Sequence, residues 1–201
     1  MNFNIVISFI IAGMLLLMLA AMNLGVGNSS TELVLSQAKQ SQKIDIQELI
    51  SNDFPKIGYD FNASIDTLIS SVTDTSIVFF SNIDNSADGS IDTVSWVFTS
   101  DEVTSTTNDQ DRILRRTVGS EVIDIKLGVT SFTLKYYDKL GSTTPLSTPL
   151  SLAEIQSIRQ VEVSIEVQSA EAVSSINRGD KRYIRSIWTK RFTPRNLQTN
   201  L

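Results

Sequence analysis

The chain has 201 residues, with 17 Lys and Arg against 22 Asp and Glu for a formal charge of −5, and it contains neither Cys nor His. That composition excludes disulfides, thiolate zinc sites, cysteine nucleophiles, imidazole general bases and the usual serine triad, and the length suits one anchor plus one domain of about 170 residues. The charge is unevenly spread: residues 1–111 carry 3 basic and 14 acidic side chains, a net of −11, whereas residues 112–201 carry 14 basic and 8 acidic, a net of +6.

The first predicted element is apolar. Residues 5–22 hold no polar side chain except Ser8, and no charge precedes Glu32. Extended to Val26 the run is 22 residues, which as a helix spans about 33 Å, enough to cross the hydrocarbon of a bilayer. A cleaved signal peptide calls for a basic n-region, a shorter apolar stretch and a small-x-small cleavage site; none is clear here, which favours a retained transmembrane helix over residues 1–27. A short polar tail before the run and a large polar domain after it place that domain outside the cytoplasm. Ile5, Phe9, Leu16, Leu19 and Val26 are its candidate packing residues. Ser8, Ala12, Gly13, Ala20, Ala21, Gly25 and Gly27 either let a second helix approach closely or reflect how common Gly and Ala are in such spans.

Residues 28–57 continue as an amphipathic helix, with Leu35, Ala38, Ile46, Leu49 and Ile50 on one stripe and Lys39, Gln40, Lys43 and Gln47 elsewhere. Ser30 caps a new helix if Gly25 and Gly27 break the first one; otherwise the two merge into one helix of about 50 residues. Pro55 and Gly58 end it.

From residue 58 to 201 the period changes to two, predicting strands at 77–80, 94–98, 132–136, 161–167 and 183–192. Turns are expected at Asp88-Gly89, Gly119, Leu140-Gly141 and 145–149, with a polar loop over 100–111. Strands of this alternation are buried on one face only, so the fold class is α+β, a long helix packed on an antiparallel sheet.

Two clusters invite a binding reading. Asp84, Ser86, Asp88, Ser90 and Asp92, with Gly89 at the turn, place oxygen ligands on alternate residues as a calcium loop does, yet the twelfth position is Ser95 rather than the bidentate Glu. A polar Asp-Gly hairpin turn accounts for the same residues. Seven basic side chains between 178 and 195, among them Arg182, Arg185, Lys190 and Arg191, face one acid, Asp180. They either pair with the acidic half of the chain and guard an edge strand, or form a basic surface for a partner; nothing points to nucleic acid in particular. Trp96, Trp188, Tyr136 and Tyr137 read as core or strand-face aromatics, and no nucleophile motif or paired carboxylates mark an active site.

Several stretches together resemble the type IV pilin-like superfamily, in particular W-type minor pilins and J-type minor pseudopilins of type II secretion. They are LISNDFPKIGY at 49–59, FFSNIDNSADGSIDTVSWVF at 79–98, RILRRTVGS at 112–120, LGVTSFTLKYYDKLGS at 127–142, IRQVEVSIEVQS at 158–169 and RFTPRNL at 191–197. The likeness rests on the order of these parts along nearly the whole chain. It departs at the N-terminus, where the family pattern has a basic leader ending in Gly and a Glu at the fifth mature position, whereas here the first acid is Glu32. The resemblance implies a structural subunit without enzymatic activity, stored in the inner (cytoplasmic) membrane with its C-terminal domain extracytoplasmic. Its partners are membrane lipid, assembly machinery and other pilin-like subunits, with which it forms a pilus or pseudopilus filament. The alternative expectation is a membrane-tethered module that never polymerises and binds a ligand through the basic strand or the calcium loop.

Overall fold

The computed structural model describes residues 3–60, 68–86, 89–174 and 181–198. Helix α1 runs unbroken over Phe3–Asp53, 51 residues, or about 77 Å. Gly25 and Gly27 do not interrupt it, so the single-helix expectation holds and Ser30 is not a cap. Pro55 opens a short 3-10 turn, Phe54–Lys56, and Gly58 leaves it at φ +72°, a conformation in which only glycine is free of steric cost.

Seven strands form one antiparallel sheet: β1 (Ile69–Val72), β2 (Ser76–Ser81), β3 (Asp92–Glu102), β4 (Arg112–Val118), β5 (Glu121–Tyr137), β6 (Gln160–Gln168) and β9 (Arg185–Phe192), with β1 and β9 at the edges. A two-stranded ribbon of β7 (Val173–Ser174) and β8 (Lys181–Arg182) stands apart, and helix α2 (Leu152–Ser157) begins with a capping box between Ser151 and Glu154. Every expected strand is present. Strand β1, the β7–β8 ribbon and the first half of β5 were outside those expectations, β4 falls in the 112–120 stretch singled out only by resemblance, and β3 runs to Glu102, three residues into the expected loop.

The long strand β5 serves two neighbours in turn. Its first half pairs with β4 (Ile125 opposite Leu114) and its second half with β6 (Phe132 opposite Ile165). The register shifts near Gly128, which sits at φ +77°, and this bend lets the sheet curl. The curl brings the β1–β2 turn over β5, where the Leu134 amide donates to the Asp74 carbonyl (2.7 Å) and the Tyr136 hydroxyl donates to the Thr73 carbonyl (2.8 Å).

The concave face takes the lower half of α1. Ile46, Ile50 and Phe54 join Phe79, Trp96, Phe132, Leu134, Val163, Ile165 and Phe192 in one core. Phe54 is its hub, with ring centroids 5.4 Å from Phe192, 6.2 Å from Phe79 and 6.4 Å from Trp96, distances at which tilted and offset rings attract. Above residue 32 the helix stands clear of the domain.

One part of the helix stripe needs correction. Ala38 is exposed and Lys39 is buried, because the face actually docked follows 39, 46, 50 and 53, rotated from the one the apolar residues alone indicate.

Candidate functional site

The apolar half of α1 is the largest exposed feature. Ile5, Phe9, Leu16, Leu19 and Val26 all lie open, Phe9 at 74% and Leu16 at 68%, and so do their neighbours on every side of the helix. This is the one helix among the described residues that is long and apolar enough to cross a membrane, and none of its apolar window is buried in the domain. Exposed aliphatic surface of this extent has no stable place in water and calls for lipid or another apolar surface.

Where α1 meets the sheet, a polar group ties the two. The carboxylate of Asp53, fully buried, accepts from Arg116 Nε (2.7 Å) and Nη2 (2.9 Å) and from Trp96 Nε1 (3.0 Å). The bonds to Asp53 hold the Arg116 guanidinium above its usual range against the opposing pull of burial. A bidentate pair of this kind fixes both distance and orientation, so the last turn of α1 is locked to β3 and β4. No spacing in the sequence marks these residues, since the partners lie 43 and 63 positions from Asp53. The available hint is an acid closing a helical stripe directly before an aromatic and Pro55.

The basic residues divide among separate surfaces. Arg182 pairs with Glu32 on α1. Lys190 lies on the concave side, 4.9 Å over the Phe192 ring and within reach of Ser51 Oγ (3.4 Å). Arg191 points the opposite way: it donates to Glu162 Oε2 from Nη2 (2.8 Å) and Nε (3.1 Å), donates to the Ser142 carbonyl (2.7 Å), and stacks 3.7 Å from the Tyr137 ring centre. Burial raises the Glu162 carboxyl, but the bonds and charge of Arg191 together with Lys135 and the Tyr137 hydroxyl outweigh it and hold the group below its usual range. Arg185 alone of the four is exposed with no such tie to its side chain among the described residues, and β9 is an edge strand. Three of the four are therefore engaged within the chain, but only Arg182 reaches an acid of residues 1–111, since Glu162 belongs to the basic half and Lys190 meets a hydroxyl and a ring.

Around 84–92 the described residues knit to one another. The Ser86 amide donates to Asn82 Oδ1 (2.9 Å) and Asp84 Oδ1 (3.0 Å), Asn82 Nδ2 donates to the Ser86 carbonyl (3.1 Å) and Asp60 Oδ2 (3.0 Å), and the Ser86 and Ser90 hydroxyls meet at 2.9 Å. Buried Asn82 organises this loop and was not among the sequence candidates. Asp84 and Asp92 open, with Glu121, onto a polar cleft floored by Asn52 and Arg116. Asp88 lies outside the described residues, and among those described no three carboxylates converge as a metal site.

The arrangement is thus a docked helix with a bare apolar extension, two lateral ion-pair ties and a polar cleft at the helix end. No family model matches the chain, and neither a curated protein nor a solved structure matches it.

Proposed function

We infer that this chain is a membrane-anchored structural subunit, a minor pilin or pseudopilin, whose N-terminal helix is held in the inner membrane and passes from lipid into a bundle of like helices as a filament assembles. The observation that carries the reading is the division of α1 into two halves. Ile46, Ile50 and Asp53 are buried against the sheet and locked through Asp53, whereas the half ending at Val26 is apolar around its whole circumference. A helix of that kind is at home in lipid or in a bundle, and a rigid junction lets force on the helix move the domain with it. The order of sequence stretches that resembles pilin-like proteins supports the same conclusion. In this reading the extracytoplasmic β-domain makes the lateral contacts to other subunits and the assembly machinery, and calcium at the 84–92 loop is left to direct titration.

The test is Leu16→Asp. A carboxylate at the centre of the span opposes insertion by about 3 kcal/mol and has no partner in an apolar bundle. Loss of filaments in electron micrographs, together with loss of co-purifying pilin-like chains, is the expected result. Normal filaments from the variant, or wild-type material that never brings down another pilin-like chain, refutes assembly and leaves a simple tether.

A further inference from the structure

The docking of α1 is uneven in a way that the core alone does not explain. Of the described side chains from 30 to 45, Lys39 alone is buried, at 6% exposure. Its ammonium donates to Gln42 on its own helix and lies against Gly128, where an added Cβ would stand 2.9 Å from Nζ. The counter-charge is Asp111, directly before β4 and 0% exposed. Among the described residues neither of its carboxylate oxygens meets a donor at bonding geometry, although the Thr106 hydroxyl and the Arg112 guanidinium lie close enough to favour its charge. The nearby Thr106 hydroxyl faces the carbonyls of Val103 and Asn108 instead. The Thr130 hydroxyl, next to Val129 where Arg112 pairs with β5, is likewise buried with no partner among the described residues.

Two opposite charges have thus been taken out of water without a direct contact between them. Each is held against its preference: burial pushes Asp111 up and Lys39 down, and the pull of Thr106, Lys39 and Arg112 on the one and of Asp111 on the other offsets only part of this. The remaining tie of this stretch is Glu32 with Arg182, whose side chains are 45% and 66% exposed, and exposed pairs of that kind hold weakly. Below residue 45 the situation reverses, with Ile46, Ile50 and Asp53 at 1% exposure or less.

We propose that Lys39 and Asp111 form a releasable latch: the segment of α1 from 32 to 43 peels from the sheet as a unit while 46–53 stays docked, giving the domain a hinge below the apolar anchor. A partly satisfied buried polar pair holds less well than apolar packing of the same volume, and releases more readily. Opening of such a segment is a local event that leaves the core intact. The device operates on a single chain and does not depend on polymerisation.

Hydrogen exchange followed by mass spectrometry, on the full chain in lipid nanodiscs, reads it through the helix's own amide bonds, which open more often once the segment has lost the sheet's support. Amides of 33–43 are expected to exchange at least about tenfold faster than those of 46–53. Lys39→Met with Asp111→Leu, which replaces the pair by apolar packing, slows exchange at 33–43 by about tenfold and leaves 46–53 unchanged. Asp111→Asn, which strands the ammonium, speeds exchange at 33–43 and leaves 46–53 unchanged; this conservative variant decides the matter should the double variant fail to fold. Equal protection of the two segments in the unaltered chain, or an Asp111→Asn variant that exchanges no faster at 33–43, overturns the latch.

Discussion

Replacing Asp53 by Ala tests the junction of helix and sheet at its most committed point. The substitution removes two charged hydrogen bonds from Arg116 (2.7 and 2.9 Å) and one from the Trp96 indole (3.0 Å). Deleting one partner of a buried pair destabilises by about 3–5 kcal/mol because the other charge is stranded. Here the Arg116 side chain keeps 12% exposure at the edge of the cleft, which argues for about 3 kcal/mol, the lower end of that range. The indole N–H, fully enclosed, adds about 1 kcal/mol as an unsatisfied donor. A total near 4 kcal/mol is a large share of the ~5–15 kcal/mol that holds an ordinary domain together, and for a domain of this size it lowers Tm by about 12 °C. The assay is urea unfolding of the full chain in detergent, followed by far-ultraviolet circular dichroism, because Trp96 is itself a partner and its fluorescence changes with the substitution. Arg116→Met combined with Asp53→Ala leaves no stranded charge, so the double variant is expected to be more stable than the sum of the single losses implies. A loss below about 1 kcal/mol for Asp53→Ala, or strict additivity in the cycle, refutes the assignment of this pair as the lock.

Two further substitutions address the sheet. Tyr136 is fully buried, and burial pushes its hydroxyl well above the ordinary phenol range; a raised folded value means stability that is complete below the unfolded value of about 10 and lost as the pH rises beyond it. Tyr136→Phe is therefore expected to flatten the fall in urea midpoint between about pH 9 and 11, at a cost of about 1 kcal/mol near neutrality from the bonds to Thr73 and Ser76. An unchanged alkaline slope contradicts this. Gly128→Ala places a Cβ 2.3 Å from the Gln168 carbonyl oxygen at φ +77°, a clash with backbone on top of an unfavourable conformation, and about 3 kcal/mol is expected. Gly141→Ala shares the positive φ, +74°, but meets nothing within 4 Å, so about 1 kcal/mol is expected there; equal losses at the two positions would show that the curl does not depend on the close approach at Gly128.

The parts legible in the sequence are those with a local period. Residues 5–26 announce by composition alone a helix long and apolar enough to span a membrane, and the alternation of Val161, Val163, Ile165 and Val167 gives β6 with its buried face. Pro55 and Gly58 mark the end of α1 within a few residues. What escaped notice is set by contacts distant in the chain. Lys39 reads as a solvent-facing residue of an amphipathic helix, and only the folded sheet, with Gly128 and Asp111 opposite, makes its position a buried one. Asp53 looks like one more acid near a helix end until Trp96 and Arg116 arrive from β3 and β4. Strand β1 (Ile-Ser-Ser-Val) is too short to register as a pattern. The first half of β5 is exposed at successive positions, Glu121 to Asp124, so it carries no alternation of burial for a sequence to display. Arg182, Lys190 and Arg191 form one cluster in sequence, but strand alternation sends the last two to opposite faces, and the first reaches back to Glu32.

Photo-crosslinking from a benzophenone amino acid at position 16, in cells producing the full chain, asks most directly what covers the apolar half of α1. Adducts to the apolar N-terminal helices of other subunits, in addition to lipid in the unassembled pool, are the expected result. Adducts to lipid alone under conditions where filaments form, or no adducts because the site faces water, contradict the transfer of this helix from membrane to filament.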